Sequence, residues 1–301
     1  MDLIDVFLKK INAEDDLKKP INALISFSKP ETGKTLSLLA KDLIKSKVSK
    51  SSVVALHLIT QEEADRIGDL EQYKTELFEE IIALCEKNGI AIRTFVKISD
   101  DYVSDILETE KTYDCNFLLI GIGKQVFNTS LWEKYLNSGK DTFVHLAAEA
   151  GNEAEEKLNV ALTNISSLLS RNTTTTGVFV DRNFEEMDNV FIPILDKMDV
   201  HIFTFVNRLS FREKTSVMVW DAIGLIETNP EMKKLYQYLN KRTNGRLRSW
   251  NNDEKIDYEF IRSQDLIIIG TEGWNKLISS AIPWARSLPS TLIIKESKNE
   301  E

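Results

Sequence analysis

Short apolar segments alternate with amphipathic helical segments along most of the chain, and this alternation constrains the fold more than any other feature. Strand-length apolar runs include SVVALHLI (52–59) and NFLLIG (116–121). The segments between them carry apolar residues at helical spacing. Such alternation is typical of parallel strands joined by right-handed crossovers. The sequence therefore predicts an α/β protein built on open parallel sheets, similar to a Rossmann-like α/β/α arrangement.

The order of elements recurs after roughly 160 residues, far longer than the repeat of a solenoid. The run DLIIIG (265–270) echoes NFLLIG, and NVFIPIL (189–195) opens the second series. We therefore predict two tandem domains, 21–184 and 185–301, each with five strands, preceded by an N-terminal linker or helix over 1–20. The helices predicted in these domains include Glu31–Lys45, Glu71–Lys87, Val200–Leu209 and Trp274–Arg286.

Ligands of open parallel sheets bind beyond the carboxyl ends of the strands, which selects a small set of candidate residues. His57 is either a packed residue or one that lines a ligand. The glycines at two strand ends could admit phosphate or simply turn the chain. The candidates are Ser28, Lys29, His57, Leu58, Gly121 and Gly123 in the first half and Asp196, Gly270 and Gly273 in the second.

The segment SKPETGKT (28–35) resembles a phosphate-binding loop of the form G-x-x-x-x-G-K-[ST]. Ser28 stands in place of the first glycine, and Pro30 removes one backbone N–H. The alternative is an ordinary strand-to-helix turn in which Pro30 starts the helix. A nucleotide hydrolase that uses Lys34 and Thr35 therefore stays open as a second interpretation.

The sequence contains no convincing catalytic set and no metal-ligand spacing. No Ser or Cys nucleophile with an orienting acid is visible beside His57, and His145 and His201 lack neighbours typical of a metal site. We therefore predict no enzymatic activity, no catalytic residues and no metal.

The net charge of −9 and the pI of about 5.1 argue against general nucleic-acid binding. The basic cluster Lys241, Arg242, Arg246 and Arg248 is interpreted as a solvated helix end and strand start. No apolar run approaches the roughly 20 residues of a membrane helix. Cys85 and Cys115 are interpreted as reduced structural thiols, which fits a cytoplasmic location.

Five segments carry a resemblance to known proteins: INALISFSKPETGKTLSLLAKDLI, SSVVALHLIT, YDCNFLLIGIG, DNVFIPILD and PSTLIIK. Together they resemble the universal stress protein family, as a tandem pair from about Asn22 to Lys295. They look most like the cytosolic C-terminal region of bacterial, Bacteroidetes-type cation/proton (Na+/H+) antiporters. The resemblance implies a cytoplasmic regulatory, ligand-sensing domain attached to the membrane transporter portion of the same polypeptide in the inner membrane.

Nucleotide-binding members of that family carry an Asp after the first strand and G-x2-G-x9-G-[ST] after the fourth. The first half has Ser28 in place of that Asp and Gly121-x-Gly123, with Thr129-Ser130 where the later Gly-Ser would stand. The resemblance thus makes an adenine nucleotide the candidate small ligand, although this half departs from the ATP pattern. A nucleotide-binding universal stress protein is a further alternative.

The second half keeps Asp196 and the Gly270-x2-Gly273 spacing of the pattern. It lacks the later Gly-Ser, since Pro283-Trp284 stands there instead. By analogy with stress-family dimers, the resemblance also implies a homodimer. Its pairing edge would be Thr176–Val180 or Thr291–Lys295.

Overall fold

A computed structural model describes residues 20–44, 50–122, 153–209, 212–250, 256–280 and 282–297. Residues 1–19 of the predicted linker lie outside these ranges, as do Gly123, Thr129 and Ser130. The chain forms two compact bodies. Most of the described residues of the first fall within 21–41 and 50–181, and most of those of the second fall within 182–294.

The first body begins with β1, a strand whose last five residues are buried, and alternates strands with helices thereafter. Its strands are β1 Asn22–Phe27, β2 Ser52–Ile59, β3 Ala91–Ile98, β4 Phe117–Ile122 and β5 Thr175–Val180. Its helices are α1 Pro30–Leu43, α2 Gln61–Arg66, α3 Leu70–Lys87, α4 Tyr102–Thr112 and α5 Glu153–Arg171.

The second body contains the next five strands, with two short 3-10 helices among its connections. Its strands are β6 Asn189–Ile194, β7 Ser216–Asp221, β8 Leu247–Ser249, β9 Leu266–Gly270 and β10 Ser290–Lys295. Its α-helices are α6 Phe203–Leu209, α7 Leu225–Thr228, α8 Pro230–Arg242, α9 Tyr258–Arg262 and α10 Thr271–Ser279, and the 3-10 helices span Lys197–Ile202 and Pro283–Arg286.

The described strands of each body form a parallel sheet with the same order of strands. The order in the first body is β3-β2-β1-β4-β5. The order in the second is β8-β7-β6-β9-β10, which is the same order when the strands of each body are counted from its first. The chain therefore has the predicted fold class, an open parallel α/β sheet in each half. In each, the first strand lies at the point where the strand order reverses, which is the classical position for a ligand.

The central strands are apolar because both faces of a parallel sheet are covered by helices. Leu24, Ile25 and Leu119 of the first body and Ile192 and Ile268 of the second have no exposed surface. Such strands show no alternation of polar and apolar residues, which is why they read as continuous apolar runs.

Two predicted helices differ from the structure in ways that local chemistry explains. The single helix expected over Trp274–Arg286 ends at Ser279, and a separate 3-10 turn begins at Pro283. Proline lacks the N–H that an α-helix needs and disfavours a helical residue before it. The helix expected over Val200–Leu209 is 3-10 in its first part, up to Ile202.

Two short helices, α2 and α7, were missing from the sequence-based prediction. Thr60 caps α2: its hydroxyl accepts from Glu63 N at 3.2 Å, and the Glu63 carboxylate accepts from Thr60 N at 2.8 Å. None of the residues of α2 is buried, so it lacks the apolar stripe by which helices are recognised.

Within the described residues, no helix combines the length and apolar character needed to cross a membrane.

Candidate functional site

The carboxyl end of β6 in the second body leads directly into the 3-10 helix Lys197–Ile202, which is capped by Asp196. Asp196 Oδ1 accepts a hydrogen bond from Met198 N at 2.8 Å. Its Oδ2 lies 2.7 Å from Lys276 Nζ on α10. Burial raises the pKa of Asp196, but the Lys276 ammonium and the backbone N–H outweigh it, so its pKa is lower than usual. This carboxylate is thus ionised and already paired within the protein.

Asp199, three residues further on, is the acidic group that reaches the glycines. Its side chain is fully buried. Asp199 Oδ1 accepts from Gly273 N at 3.2 Å, and Oδ2 accepts from Asp196 N at 3.2 Å. A Cβ atom built on Gly270 or on Gly273 would come closer than 3.0 Å to this carboxylate. The two glycines therefore make room for Asp199, and we call the space beside them the glycine notch.

The notch also borders His201, which is buried. Its Nδ1 lies 2.7 Å from the carbonyl oxygen of Met198, so Nδ1 carries the hydrogen and donates it. Its Nε2 is buried, and no hydrogen-bond partner for it lies within the described part of the chain. Burial, the largest cause, raises the pKa of Asp199 to about 6, against the opposing effects of the Gly273 N–H and of His201.

Asp199 was missed in the sequence-based prediction, which selected Asp196 alone. The signal that could have found it is the spacing Asp196-x-x-Asp199, because an acid three residues after an N-cap folds back onto the cap in a capping box. The spacing shows that Asp199 turns inward. It does not show that the carboxylate ends beside two glycines of a distant segment.

In the first body, Ser28 and Lys29 form an exposed bend between β1 and α1. The carbonyl oxygen of Lys29 accepts from Thr32 N at 3.1 Å and from Gly33 N at 3.3 Å. Two of the N–H groups that a phosphate-binding loop would offer, those of Thr32 and Gly33, are therefore used within the first turn of the helix. Gly33, Lys34 and Thr35 lie inside α1, which begins at Pro30.

The two residues of the hydrolase alternative both have partners in the protein. Lys34 forms a salt bridge with Glu80 of α3, and both side chains are more than half exposed. The Thr35 hydroxyl donates to the carbonyl oxygen of Glu31 at 3.0 Å and lies 3.3 Å from Asp181 Oδ2. This segment has the geometry of the strand-to-helix turn, the other interpretation that the sequence allowed.

Gly121 of β4 is the first body's counterpart of the glycine notch. A Cβ atom built there would come closer than 3.0 Å to Cγ2 of Thr32 on α1, with Leu36 beyond it. The absence of a side chain at Gly121 thus allows the first turn of α1 to approach β4. Its predicted companions Gly123, Thr129 and Ser130 lie outside the described residues.

His57 is buried at the end of β2, beside the also buried Leu58. His57 Nδ1 lies 3.2 Å from the carbonyl oxygen of Phe27, and Nε2 lies 2.9 Å from the hydroxyl of Tyr73. A carbonyl only accepts, so Nδ1 donates and neutral Nε2 accepts from Tyr73. Burial, the largest cause, lowers the pKa of His57. The ring is therefore a neutral link between β1 and α3.

The predicted basic cluster near β8 is partly used by the fold. Arg246 Nη1 donates to the carbonyl oxygen of Thr215 at 2.8 Å, and Arg242 Nη1 donates to Asn207 Oδ1 at 3.1 Å.

Among the residues described, no group of three or more His, Cys, Asp and Glu side chains is arranged to hold a metal ion.

Comparisons with known proteins give structural likeness without sequence relatives. No protein-family model and no curated protein matches the sequence. The fold is similar to the cytoplasmic domain of a prokaryotic cation chloride cotransporter, with a TM-score of 0.52 and 13% identity, over 92% of this chain and 96% of that one. At this identity the likeness shows the fold alone.

Two further neighbours are universal stress proteins, with lower scores. The one from Pseudomonas aeruginosa UCBPP-PA14 has a TM-score of 0.47 and 11% identity, over 92% of this chain and 94% of that one. The one from Archaeoglobus fulgidus DSM 4304 has a TM-score of 0.41 and 11% identity, over 90% and 97%.

Proposed function

We propose that this chain is a regulatory domain of a membrane cation transporter, specifically a cation/proton (Na+/H+) antiporter, and that it performs no chemistry of its own. Its likeness to the cytoplasmic domain of a cation chloride cotransporter over 92% of its length supports the transporter context. The segments that resemble antiporter tails support the finer assignment. In this proposal the domain lies in the cytoplasm and acts on the membrane portion of its own polypeptide.

The observation that supports a non-enzymatic role is that side chains of the protein itself fill the space beside each of these glycines. Thr32 occupies the space beside Gly121, and Asp199 occupies the space beside Gly270 and Gly273. A nucleotide phosphate would collide with these side chains, and at the second position it would also meet a carboxylate. Like charges at contact distance strongly disfavour binding. We therefore propose that both positions stay closed to adenine nucleotides in this conformation.

A closed notch still permits regulation. A domain with two conformations responds to a ligand or partner that prefers one of them. Moving Asp199 away from Gly270 would open the second body, and contact with the transporter or with a second copy of this chain could favour either form. We include a homodimer in the proposal on the strength of the stress-family resemblance. Size-exclusion chromatography with light scattering measures it directly.

The first experiment is a thermal-shift screen with AMP, ADP, ATP, cyclic dinucleotides and NAD, with and without magnesium. Ligands that bind the folded state raise its melting temperature by mass action. We expect no shift from any of them with the wild-type chain. A saturable shift with ATP would favour the alternative of a nucleotide-binding stress protein. Release of phosphate from Mg-ATP that is lost in Lys34→Ala would establish the hydrolase alternative instead.

The second experiment tests the transporter context. The reading frame upstream of Met1 is sequenced and examined for membrane-spanning segments. The complete polypeptide is then reconstituted in vesicles, with and without residues 21–295, and sodium/proton exchange is followed with a pH-sensitive dye. We expect removal of these residues to change the rate or its pH dependence. Identical transport by both forms, or a frame without membrane spans, would contradict the proposal.

A further inference from the structure

A cleft of about 560 Å³ opens at the amino ends of β6, β9 and β10, which are neighbours in the second sheet. It therefore lies at the edge opposite the glycine notch. Its volume falls in the range of small-molecule sites, roughly 300–1,000 Å³. Its lining is more polar than apolar, and it includes Arg182, Asp188, Arg262, Asp265 and Ser287.

Arg182 is a half-buried cation in this cleft to which the described residues offer no ionic partner. Its backbone N–H donates to Ser290 Oγ at 2.9 Å, which holds the residue at the start of β10. The side chain is half-buried, and burial lowers the pKa of its guanidinium. Among the described residues, no carboxylate lies within 4.0 Å of this guanidinium. A desolvated cation without a partner costs free energy unless something else pairs with it.

Two of the acids that line the cleft, Asp188 and Asp265, contact other groups of the protein. Asp265 Oδ2 accepts from the backbone N–H groups of Asp188 at 2.9 Å and of Asn189 at 2.7 Å. Asp188 Oδ1 lies 3.7 Å from Arg212 Nη2. Asp265 therefore stabilises the chain at the start of β6, whereas Asp188 Oδ1 makes this longer ion pair and no hydrogen bond within the described residues.

The other two acids, Glu185 and Glu186, are exposed at the rim. Their negative charge opposes the entry of a polyanion such as a nucleoside triphosphate. It favours a ligand with one anionic end and one cationic end. The arrangement of a half-buried guanidinium inside and carboxylates outside is complementary to a small zwitterion.

We propose that this cleft binds a small zwitterionic carboxylate of the amino-acid class. The carboxylate of the ligand accepts two parallel hydrogen bonds from the Arg182 guanidinium, which is the planar fork that suits this group. The ammonium group of the ligand faces Glu185 and Glu186. The site is independent of the transporter role proposed above and would exist equally in a free-standing protein.

The experiment uses the full chain, labelled with 15N, and follows the Arg Nε–H resonances during titrations with L-alanine, acetate and inorganic phosphate. We expect L-alanine to shift the Arg182 resonance saturably, acetate to bind about tenfold more weakly because it lacks the ammonium, and phosphate to bind most weakly because of the rim acids. Equal binding of acetate and L-alanine would overturn the zwitterion assignment. No saturable shift with any of the three would overturn the site.

Arg182→Gln is expected to abolish the L-alanine response without lowering the melting temperature, because the guanidinium has no ionic partner to lose in the part of the chain that the structure describes. The matched control is Arg248→Gln, which removes an exposed arginine of β8 outside the cleft and should leave binding unchanged. Glu185→Gln combined with Glu186→Gln should reduce the preference for L-alanine over acetate. Unchanged binding in Arg182→Gln would contradict the proposal.

Discussion

The carboxylate of Asp199 lies where a side chain of Gly270 would begin, closer than 3.0 Å to the position of that Cβ atom. The same carboxylate accepts a hydrogen bond from Gly273 N at 3.2 Å. A glycine pair that resembles part of a nucleotide-binding pattern is thus occupied by an acidic side chain from the same body. We therefore expect the stability of the protein to depend on the small size of the glycines and on the charge of Asp199.

We expect Gly270→Ala to destabilise the protein by about 1–3 kcal/mol, the usual cost of overpacking a filled core. The new methyl group has to displace the Asp199 carboxylate or shift the backbone of β9. Urea unfolding measures the free-energy change. The matched control is Gly68→Ala, since a Cβ atom there meets nothing within 4 Å, and its effect should stay within about 0.5 kcal/mol.

A double-mutant cycle tests whether Asp199 is the cause. Asp199→Ala alone should cost stability because Gly273 N and Asp196 N each lose an acceptor. Combined with Gly270→Ala, it should cost less than the sum of the two single changes, because the collision is then removed. Additive effects would show that Gly270→Ala acts through something other than Asp199.

The buried carboxylate also predicts a pH dependence. Burial raises the pKa of Asp199 from the ordinary 3.8 to about 6 in the folded chain. Between those values the folded state binds a proton that the unfolded state has lost, so this group's contribution to stability falls as pH rises from 3.8 to about 6 and then levels off. Its size is at most about 3 kcal/mol.

Asp199→Asn removes this titration. Comparing the free energy of unfolding of the two proteins at about pH 4 and pH 7 isolates the contribution of the single group. We expect wild type to lose stability relative to Asp199→Asn over this interval. Parallel pH curves for the two proteins would mean that the carboxylate is not desolvated as the structure shows.

Gly121→Ala should destabilise the first body, again by about 1–3 kcal/mol. The added methyl group meets Cγ2 of Thr32 at the first turn of α1. Thr32→Ser deletes that methyl group and keeps the hydroxyl, so the double variant should recover most of the lost stability. Chemical unfolding of the single and double variants is the measurement. A double variant as unstable as Gly121→Ala would place the collision elsewhere.

Tyr73→Phe should cost about 1–3 kcal/mol, because it leaves the buried Nε2 of His57 without its donor. The control is Tyr113→Phe, since the ring of Tyr113 stacks on Phe95 at 4.9 Å and this contact survives the change. Urea unfolding at neutral pH compares the two variants. Equal stability of both would show that the hydroxyl of Tyr73 contributes nothing to the position of His57.

Both cysteines should resist thiol reagents in the folded protein at neutral pH. Burial raises the pKa of Cys85 to about 11 and that of Cys115 to about 12, so the reactive thiolate is scarce. A colorimetric thiol assay should detect neither until denaturant is added. Ser28→Cys, placed at an exposed bend, is the positive control. Rapid reaction of a native cysteine would show that its segment opens readily.

Much of the fold followed from the sequence because it depends on local pattern. The strand over Ser52–Ile59 has the predicted bounds, since a strand buried on both faces is a continuous apolar run with polar ends. The turn at Pro30 could also be read locally, because proline suits the first position of a helix. The break before Pro283 rests on the same chemistry, but the apolar periodicity across it concealed it.

Less of the candidate site than of the fold could be predicted from local pattern. Local pattern placed glycines at the carboxyl ends of β4 and β9 and an acid after β6. The packing of distant segments places Asp199, rather than Asp196, against Gly270 and Gly273, and it places Arg182 in a cleft at the other edge of the same sheet. Local pattern could not reveal this, because periodicity and capping are interactions between residues a few positions apart. The filling of a glycine notch depends on how the 3-10 helix after β6 packs on β9 and α10, which lie some seventy positions further along the chain.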